Sequence, residues 1–229
     1  MPGTLYIVAT PIGNLEDITL RAIRVMREAD LILAEDTRVT EKLLTFLNSK
    51  FQITNYKLIS YHQHSGEEKK FEILNYLLEG KNLALVSDAG TPGISDPGNE
   101  LVDFILERSG GEIPIVPIPG PAAITTALSA SGFRANKFVF IGFLPKKKRT
   151  KLFKWLAEGE ITFAFYESPN RILKTLDILA EFFGQDRRIF IARELTKMYE
   201  TLYRGTISEV KARLEKEKVR GEMVVVVEG

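Results

Sequence analysis

Short, largely apolar runs alternate with segments of helical spacing over residues 5–131, and no other feature of the chain restricts its fold as tightly. Leu5–Ala9, Leu31–Ala34, Leu58–His62, Asn82–Ser87 and Ile113–Ile118 have the pattern of strands covered on both faces. Between them, residues 19–29 space Leu20, Ile23 and Met26 as a helix does. Thr37–Leu47 brings Val39, Leu43, Leu44 and Leu47 to one side. Ser65 with Glu68 reads as a capping box opening a helix that Gly80 closes. Asn99–Ser109 is a helix stopped by Gly110 and Gly111, and Ala122–Ser131 one ended by Gly132. This rhythm predicts an α/β fold built on a mostly parallel sheet.

The rhythm breaks near the Pro117–Pro121 turn. Beyond it, Phe138–Phe143, Ile161–Tyr166, Arg188–Arg193, Tyr199–Arg204 and Glu222–Glu228 read as five strands with only three helices among them. Glu194–Met198 is short enough to join antiparallel neighbours, so a mixed sheet is expected. Thr206 with Glu209 makes a second capping box before a charged helix. Two domains follow, residues 1–117 and 118–229, and 45% hydrophobic residues in a 229-residue chain can supply both cores.

Composition removes several function classes. The chain has no cysteine, which excludes a disulfide framework and a thiolate metal site. His62 and His64 are its only imidazoles, so no metal centre is expected. No apolar run has membrane-spanning length, and Met1–Thr4 leads straight into a strand rather than a signal peptide, which reads as a cytoplasmic protein. The net charge of +1 offers nucleic acid no global attraction, so any such contact needs a local patch. Lys146, Lys147, Lys148 and Arg149, with Lys151 and Lys154, put six cations in nine residues without an acid. Phosphates bound there would make binding salt-sensitive. Phe143, Phe153 and Trp155 lie close by for base stacking. The alternative for the cations is a solvated charge run, with RNA the favoured reading, while Phe153 and Trp155 are expected to pack in the core.

Three loops follow strands, where open α/β sheets bind ligands. Ala9–Leu15 carries Gly13 but neither a dinucleotide fingerprint nor a phosphate loop, and a plain tight turn explains it as well. Ser87–Gly98 holds three Gly, two Pro and two Asp in twelve residues, far more than a connection needs. Asp88 there can accept from a ribose hydroxyl or a cationic amine, while Asp96 can cap the next helix. Pro117–Ala123 is a stiff entry to a helix opened by Ala122 and Ala123, usable as a ligand edge or as a hinge. None of the three carries Lys or Arg, so the ligand reads as a nucleoside without an obligatory phosphate. S-adenosylmethionine fits, with its adenine, ribose, carboxylate, amine and sulfonium.

Methyl transfer to a hydroxyl also needs somewhere for the proton to go. Glu35, Asp36, His62, Glu194 and Lys197 are the candidates. Glu35 ranks first because it follows a strand at the ligand edge; Asp36 or Thr37 can instead be a helix cap. Arg38 can hold a phosphate or pair with Glu35. Lys197 is a base only if its pKa is lowered, whereas contact with an RNA phosphate needs no shift.

Read in order, LYIVATPIG (5–13), AEDTR (34–38), SDAGTPGISDPG (87–98), PIPGPAA (117–123), FYESPNR (165–171), ARELTK (192–197) and GEMVVVVEG (221–229) span the whole chain. They resemble the ribosomal RNA small subunit methyltransferase I family of the tetrapyrrole-methylase-like superfamily. The resemblance implies methylation of a cytidine 2′-hydroxyl in 16S rRNA of the 30S subunit. It also implies a two-domain fold with S-adenosylmethionine in the cleft between domains, and a homodimer. It assigns the cofactor to Pro11, Gly13, Asp88, Ala89, Gly90, Thr91, Ile94, Ala122 and Ala123, with Tyr166, Leu195, Glu222 and Met223 closing the pocket. RNA would meet Arg38, Lys146, Lys147, Lys148, Arg149 and Arg171. Members of the family often continue past the last strand with a small helical region, and its part in RNA docking is expected to be missing or supplied otherwise. Two other readings compete: a tetrapyrrole methylase of the same fold, and an RNA-associated nucleotide-binding protein without catalysis.

Overall fold

The computed structural model describes all residues except 52, 54, 55 and 146–148. The chain divides into two compact units, Met1–Ala122 and Ala123–Gly229, parting five residues beyond the expected boundary at 117.

The first unit runs β1 (Leu5–Val8), α1 (Leu20–Glu28), β2 (Leu31–Ala34), α2 (Thr37–Phe51), β3 (Leu58–Ser60), α3 (Glu67–Leu78), β4 (Leu83–Val86), α4 (Gly98–Ser109) and β5 (Ile115–Ile118). Its five strands lie in the order β3-β2-β4-β1-β5, all parallel. Strand side chains alternate between faces, so each strand feeds two cores. Leu31, Leu33, Leu83 and Leu85 pack with α3 and α4, whereas Ile32, Ala34, Ala84 and Val86 pack with α1 and α2. The division follows from topology. The steps β1→β2→β3 and β3→β4 followed by β4→β5 run in opposite directions along the sheet, and right-handed crossovers then put their helices on opposite faces. The connections leaving the neighbours β1 and β4 therefore diverge, which opens a crevice at their carboxyl ends.

One helix start differs from expectation. The Ser65–Glu68 capping box does not form: α3 starts at Glu67, its N-cap is Gly66, and no side chain caps it. The Ser65 hydroxyl accepts instead from the His62 N–H at 3.0 Å, within a turn closed by Ser65 N–H to His62 C=O.

The second unit runs α5 (Ala123–Ser131), β6 (Phe138–Phe143), α6 (Arg149–Glu158), β7 (Thr162–Glu167), α7 (Ile172–Phe183), β8 (Arg188–Arg193), β9 (Thr201–Thr206), α8 (Ile207–Leu214) and β10 (Met223–Val227). The sheet order is β6-β7-β10-β8-β9, with β6 and β7 parallel and the remaining pairs antiparallel. This is the expected mixed sheet. The valine run of β10 is central and wholly buried. Phe163, Phe165, Ile189, Ile191 and Val225 pack on one face with α6, α7 and α8. Strand β9 begins two residues later than its apolar pattern suggests. Residues 194–200 are drawn into turns by Lys197 N–H to Glu194 C=O and Glu200 N–H to Lys197 C=O, at 2.9 and 3.0 Å. Phe153 faces the core, but Trp155 is 55% exposed and not packed inside, because residues 153 and 156 share the buried side of α6.

Thr206 and Glu209 do form the reciprocal capping box that opens α8. Thr206→Ala should therefore lower stability by about 1 kcal/mol without loss of helix content, measured by urea unfolding.

Candidate functional site

Three polar residues stand where the apolar strands end, and they tie neighbouring loops together. After β1, Thr10 forms a two-bond antiparallel bridge with Gly90 beyond β4, N–H to C=O in both directions at 2.9 and 3.1 Å. The buried Thr10 hydroxyl also donates to the Ser87 carbonyl at 3.1 Å, and the Ser87 hydroxyl to the carbonyls of Ala89 and Gly90. Thr91 then donates to the Pro121 carbonyl, which joins the β4 loop to the loop after β5. Because β4, β1 and β5 are adjacent, the three loops form one edge at the carboxyl ends of the sheet. Gly90 has φ +86°, a left-handed conformation that side chains strain to adopt. Asp96 closes the far side of the long loop by accepting from the N–H groups of Gly93 and Gly98; it is not the N-cap of α4, which is Pro97. Asp88 and Ala89 stay exposed on this edge, between buried Ser87 and buried Gly90.

Strand β2 adds a fourth, acidic loop. The Asp88 carboxylate accepts from the Asp36 N–H at 2.9 Å, and the Glu35 carboxylate from the Asp88 N–H at 3.5 Å, so the two loops hold each other. Burial, and then the neighbouring Asp88 charge, pushes the Glu35 carboxyl above its ordinary range. Burial likewise raises Asp88. Asp36 goes the other way: hydrogen bonds from the Arg38 side chain and backbone bring it down to about 2. Asp36 accepts from the Arg38 backbone N–H, which caps α2, and binds the Arg38 guanidinium at 2.6 and 3.0 Å. Arg38 thus pairs with Asp36 and not with Glu35, yet its side chain is 87% exposed and faces solvent.

The ARELTK turn of the second unit is a separate construction. Glu194 and Thr196 both have positive φ, +52° and +66°, unusual for residues with side chains. Lys197 holds the turn by bridging Glu194 at 3.1 Å and Glu222 at 2.8 Å, while Glu194 accepts from the Glu222 N–H. Gly221 has no room for a Cβ against the Glu194 side chain. Burial would lower the Lys197 ammonium, but the two carboxylates outweigh it and the net shift is upward. Lys197 therefore keeps its proton, and the condition for a base role is not met. Glu194 is drawn down, its burial outweighed by the Glu222 N–H and Lys197. Of the other residues assigned to the cofactor, Leu195 is buried, Met223 lies in the core, Glu222 is exposed, and Tyr166 packs edge-on against Phe140 and Phe143.

Arg171 is not a free cation. It pairs with Glu167 at 3.2 Å and donates to the Leu144 carbonyl at 2.9 Å. Glu167 is buried and also accepts from the Thr175 hydroxyl and the Ser168 N–H. The FYESPNR segment is thus a tie between the ends of β7 and β6. Arg149, at the start of α6, turns its side chain back to the Pro145 carbonyl. Lys146, Lys147 and Lys148 lie outside the described residues. His62 lines an open, acid-rich concavity of about 730 Å³ beside β3, with Ser65, Glu67, Glu68 and Glu72, and none of the three loops lines it. The residues that sequence reading overlooked are Thr10, Ser87 and Glu167; their signal is a polar side chain at the very end of a buried strand.

Comparisons with known proteins bear on the family and the fold. The family model described as tetrapyrrole (corrin/porphyrin) methylases matches residues 4–211. A Thermotoga maritima protein named ribosomal RNA small subunit methyltransferase I is 49% identical over 228 residues, 99% of each chain. A Bacillus subtilis protein of the same name is 48% identical over 229 residues, covering 99% of this chain and 75% of its own. Among solved structures, the methyltransferase CobJ superposes with a TM-score of 0.74 at 20% identity, over 99% of this chain and 94% of that one. Uroporphyrin-III C-methyltransferase from Thermus thermophilus, complexed with S-adenosyl homocysteine, superposes at 0.68 with 19% identity over 99% and 97%. These two likenesses are of fold.

Removing one partner of a buried ion pair leaves the other charge without compensation. Arg171→Ala should therefore cost about 3 kcal/mol of stability in urea, far more than the roughly 0–1 kcal/mol of an exposed arginine.

Proposed function

The chain belongs to the tetrapyrrole (corrin/porphyrin) methylase family, and from that premise we propose that it transfers a methyl group from S-adenosylmethionine to the 2′-hydroxyl of a cytidine ribose in 16S rRNA of the small ribosomal subunit. The observation that carries the reading is the tied strand-end edge, with its raised carboxyl pair, in a chain so similar over its full length to relatives named for rRNA methylation.

The residues present fit the cofactor. The edge offers Ala89, Gly90 and Ala122, small enough for a flat base to lie close, and Asp88 for a ribose hydroxyl or an amine. It has no cation suited to a phosphate among its three loops. Its carboxyls favour a ligand carrying positive charge, which relieves their mutual repulsion. Bound S-adenosylmethionine supplies a methyl group on a positively charged sulfur. Pro11, Gly13, Thr91, Ile94 and Ala123 complete the proposed cofactor contacts.

Glu35 is the proposed proton acceptor. It is half-buried at the end of β2 and joined to the cofactor loop through Asp88. Holding the acceptor ribose in line supplies most of the rate, and a base of this kind adds about 10²–10⁴. Arg38 and Lys197 meet phosphates, each with its charge kept by a carboxylate partner. Lys146, Lys147, Lys148 and Arg149 are the further proposed phosphate contacts. Among the described residues no helix is long and apolar enough to cross a membrane. Work in the cytoplasm as a homodimer is the further implication of the family resemblance.

Incubation with labelled S-adenosylmethionine and 30S subunits should place label in 2′-O-methylcytidine of 16S rRNA. Gly90→Val should abolish it and weaken cofactor binding at least tenfold by calorimetry, because a β-branched residue at positive φ deforms the edge. Absence of label with the native chain overturns the reading.

The pH dependence has a definite sign. A base works ionised, so lowering the pH through the raised Glu35 pKa removes activity, and the acid limb of kcat lies above the ordinary carboxylate range. Glu35→Gln should lower kcat about 10²–10⁴-fold and erase that limb. An unchanged kcat would mean that positioning alone suffices.

A further inference from the structure

The two helical layers of the first unit carry opposite charge. On α1 and α2, Arg21, Arg24, Arg27, Arg38, Lys42 and Lys50 stand against only Glu28 and Glu41. On α3 and α4, Glu67, Glu68, Glu72, Glu100, Asp103 and Glu107 stand against Lys69, Lys70 and Arg108. The cations of the acidic layer are engaged inside it: Lys69 with Glu72, Lys70 with Glu100, and Arg108 over the Phe71 and Phe104 rings. In the basic layer Arg38 is held by Asp36 and Lys50 lies over the Phe46 ring, but the other cations are far less engaged. Glu28 only approaches Arg27, at 3.9 Å, and Glu41 holds the Tyr56 hydroxyl. Among the described residues no carboxylate comes within ion-pair distance of Arg21, Arg24 or Lys42.

The arginines have a reason to sit where they do. Ala22, Ile23, Val25 and Met26 bury the inner side of α1, so Arg21, Arg24 and Arg27, three residues apart, fall on the outer side. They span roughly 9 Å of helix at about 1.5 Å per residue. Helix packing accounts for the apolar positions and asks nothing of the outer ones. Arg21 and Arg24, with Arg27 only loosely paired to Glu28, leave a positive field with the planar, forked geometry that suits phosphate oxygens. Arg21 is in the first turn of α1, at the same edge of the sheet as the loop carrying Thr10 and Gly13.

We propose that the outer face of α1 and α2 docks the phosphate backbone of the RNA substrate, with Arg21, Arg24 and Arg27 as its centre. The proposal rests on the rRNA reading above and adds a surface distinct from the 146–149 run. The competing occupant is a second copy of this chain, through its acidic layer. A closed twofold dimer sets a patch against itself, and a positive patch repels its own copy. Joining the basic layer to the acidic one is head-to-tail and has no intrinsic end. RNA complements the face without either difficulty.

The test is the triple variant Arg21→Gln, Arg24→Gln, Arg27→Gln, which keeps long helix-favouring side chains. Binding to 30S subunits is measured across a salt series, together with methyl incorporation. The slope of log affinity against log salt should fall by about two, near 0.7–0.9 for each phosphate no longer neutralised. KM for 30S should rise about tenfold or more at equal salt, while kcat and cofactor affinity stay within about twofold. The companion variant Lys69→Gln, Lys70→Gln, Arg108→Gln removes the same charge from the opposite layer and should leave slope and KM unchanged. Equal losses in both variants overturn the proposal, since net charge alone would explain them. An unchanged slope and KM in the arginine variant overturn it too, and a change of oligomeric state at unchanged RNA affinity assigns the face to self-contact instead. If the native chain puts no label on 30S, the methyl-transfer reading fails. The salt slope for binding to 16S rRNA then still decides the docking face on its own.

Discussion

The Thr10–Gly90 bridge is the interaction on which the candidate site depends. Two backbone hydrogen bonds extend the parallel pairing of β1 and β4 into an antiparallel link between their loops. Without that link, a twelve-residue Gly/Pro loop would pay a large conformational entropy to hold one shape. With it, the loop is fixed at its base, closed at its far end by Asp96, and joined onward to Pro121 by Thr91. Buried backbone groups must find partners, and here the partners are other loops, which is why the edge is rigid without regular structure.

The sheet topology places this edge and also separates the work of its faces. Divergent connections from β1 and β4 make the crevice, and the same divergence sends α1 and α2 to one face and α3 and α4 to the other. Each pair of helices then carries its own outer surface. One is basic, with Arg21 and Arg24 outside ion-pair distance of any described carboxylate, while the other is acidic with its cations already engaged. A net charge of +1 conceals this arrangement completely. In the second unit, charge is used for construction instead: Glu167 with Arg171 ties strand ends together, and Lys197 with Glu194 and Glu222 holds a turn whose positive φ at Glu194 and Thr196 is unfavoured.

Much of the fold was legible in the chain. Continuous apolar runs and helical spacing located the strands and helices, and the change of rhythm near the Pro117–Pro121 turn announced the mixed sheet. Errors arose where local signals competed for one atom. Ser65 and Glu68 have the spacing of a capping box, but the Ser65 hydroxyl is already taken by the His62 turn. Trp155 and Phe153 look equally apolar, and only the helix face on which each falls decides that one is exposed. The candidate loops were legible because Gly, Pro and Asp were concentrated beyond what a turn requires. Their partners were not: Thr10 and Gly90 are eighty residues apart, and nothing local pairs them.

The sequence by itself determined the residue types at the strand ends, the absence of thiolate chemistry, and the α/β class, because these depend on composition and short-range periodicity. Tertiary structure alone decided the electrostatic roles. Arg171 and Arg38 are both arginines near a carboxylate, yet one pairs with a buried Glu167 and holds a turn, while the other pairs with a half-buried Asp36 and stays open to solvent. Glu35 and Asp36 are adjacent carboxylates, yet burial beside Asp88 raises one and the Arg38 guanidinium lowers the other to about 2. Charge is written in the chain, and partners such as Asp36–Arg38 and Glu167–Arg171 can be near neighbours, but solvation is set by groups brought together from distant segments, and it determines what the charge can do.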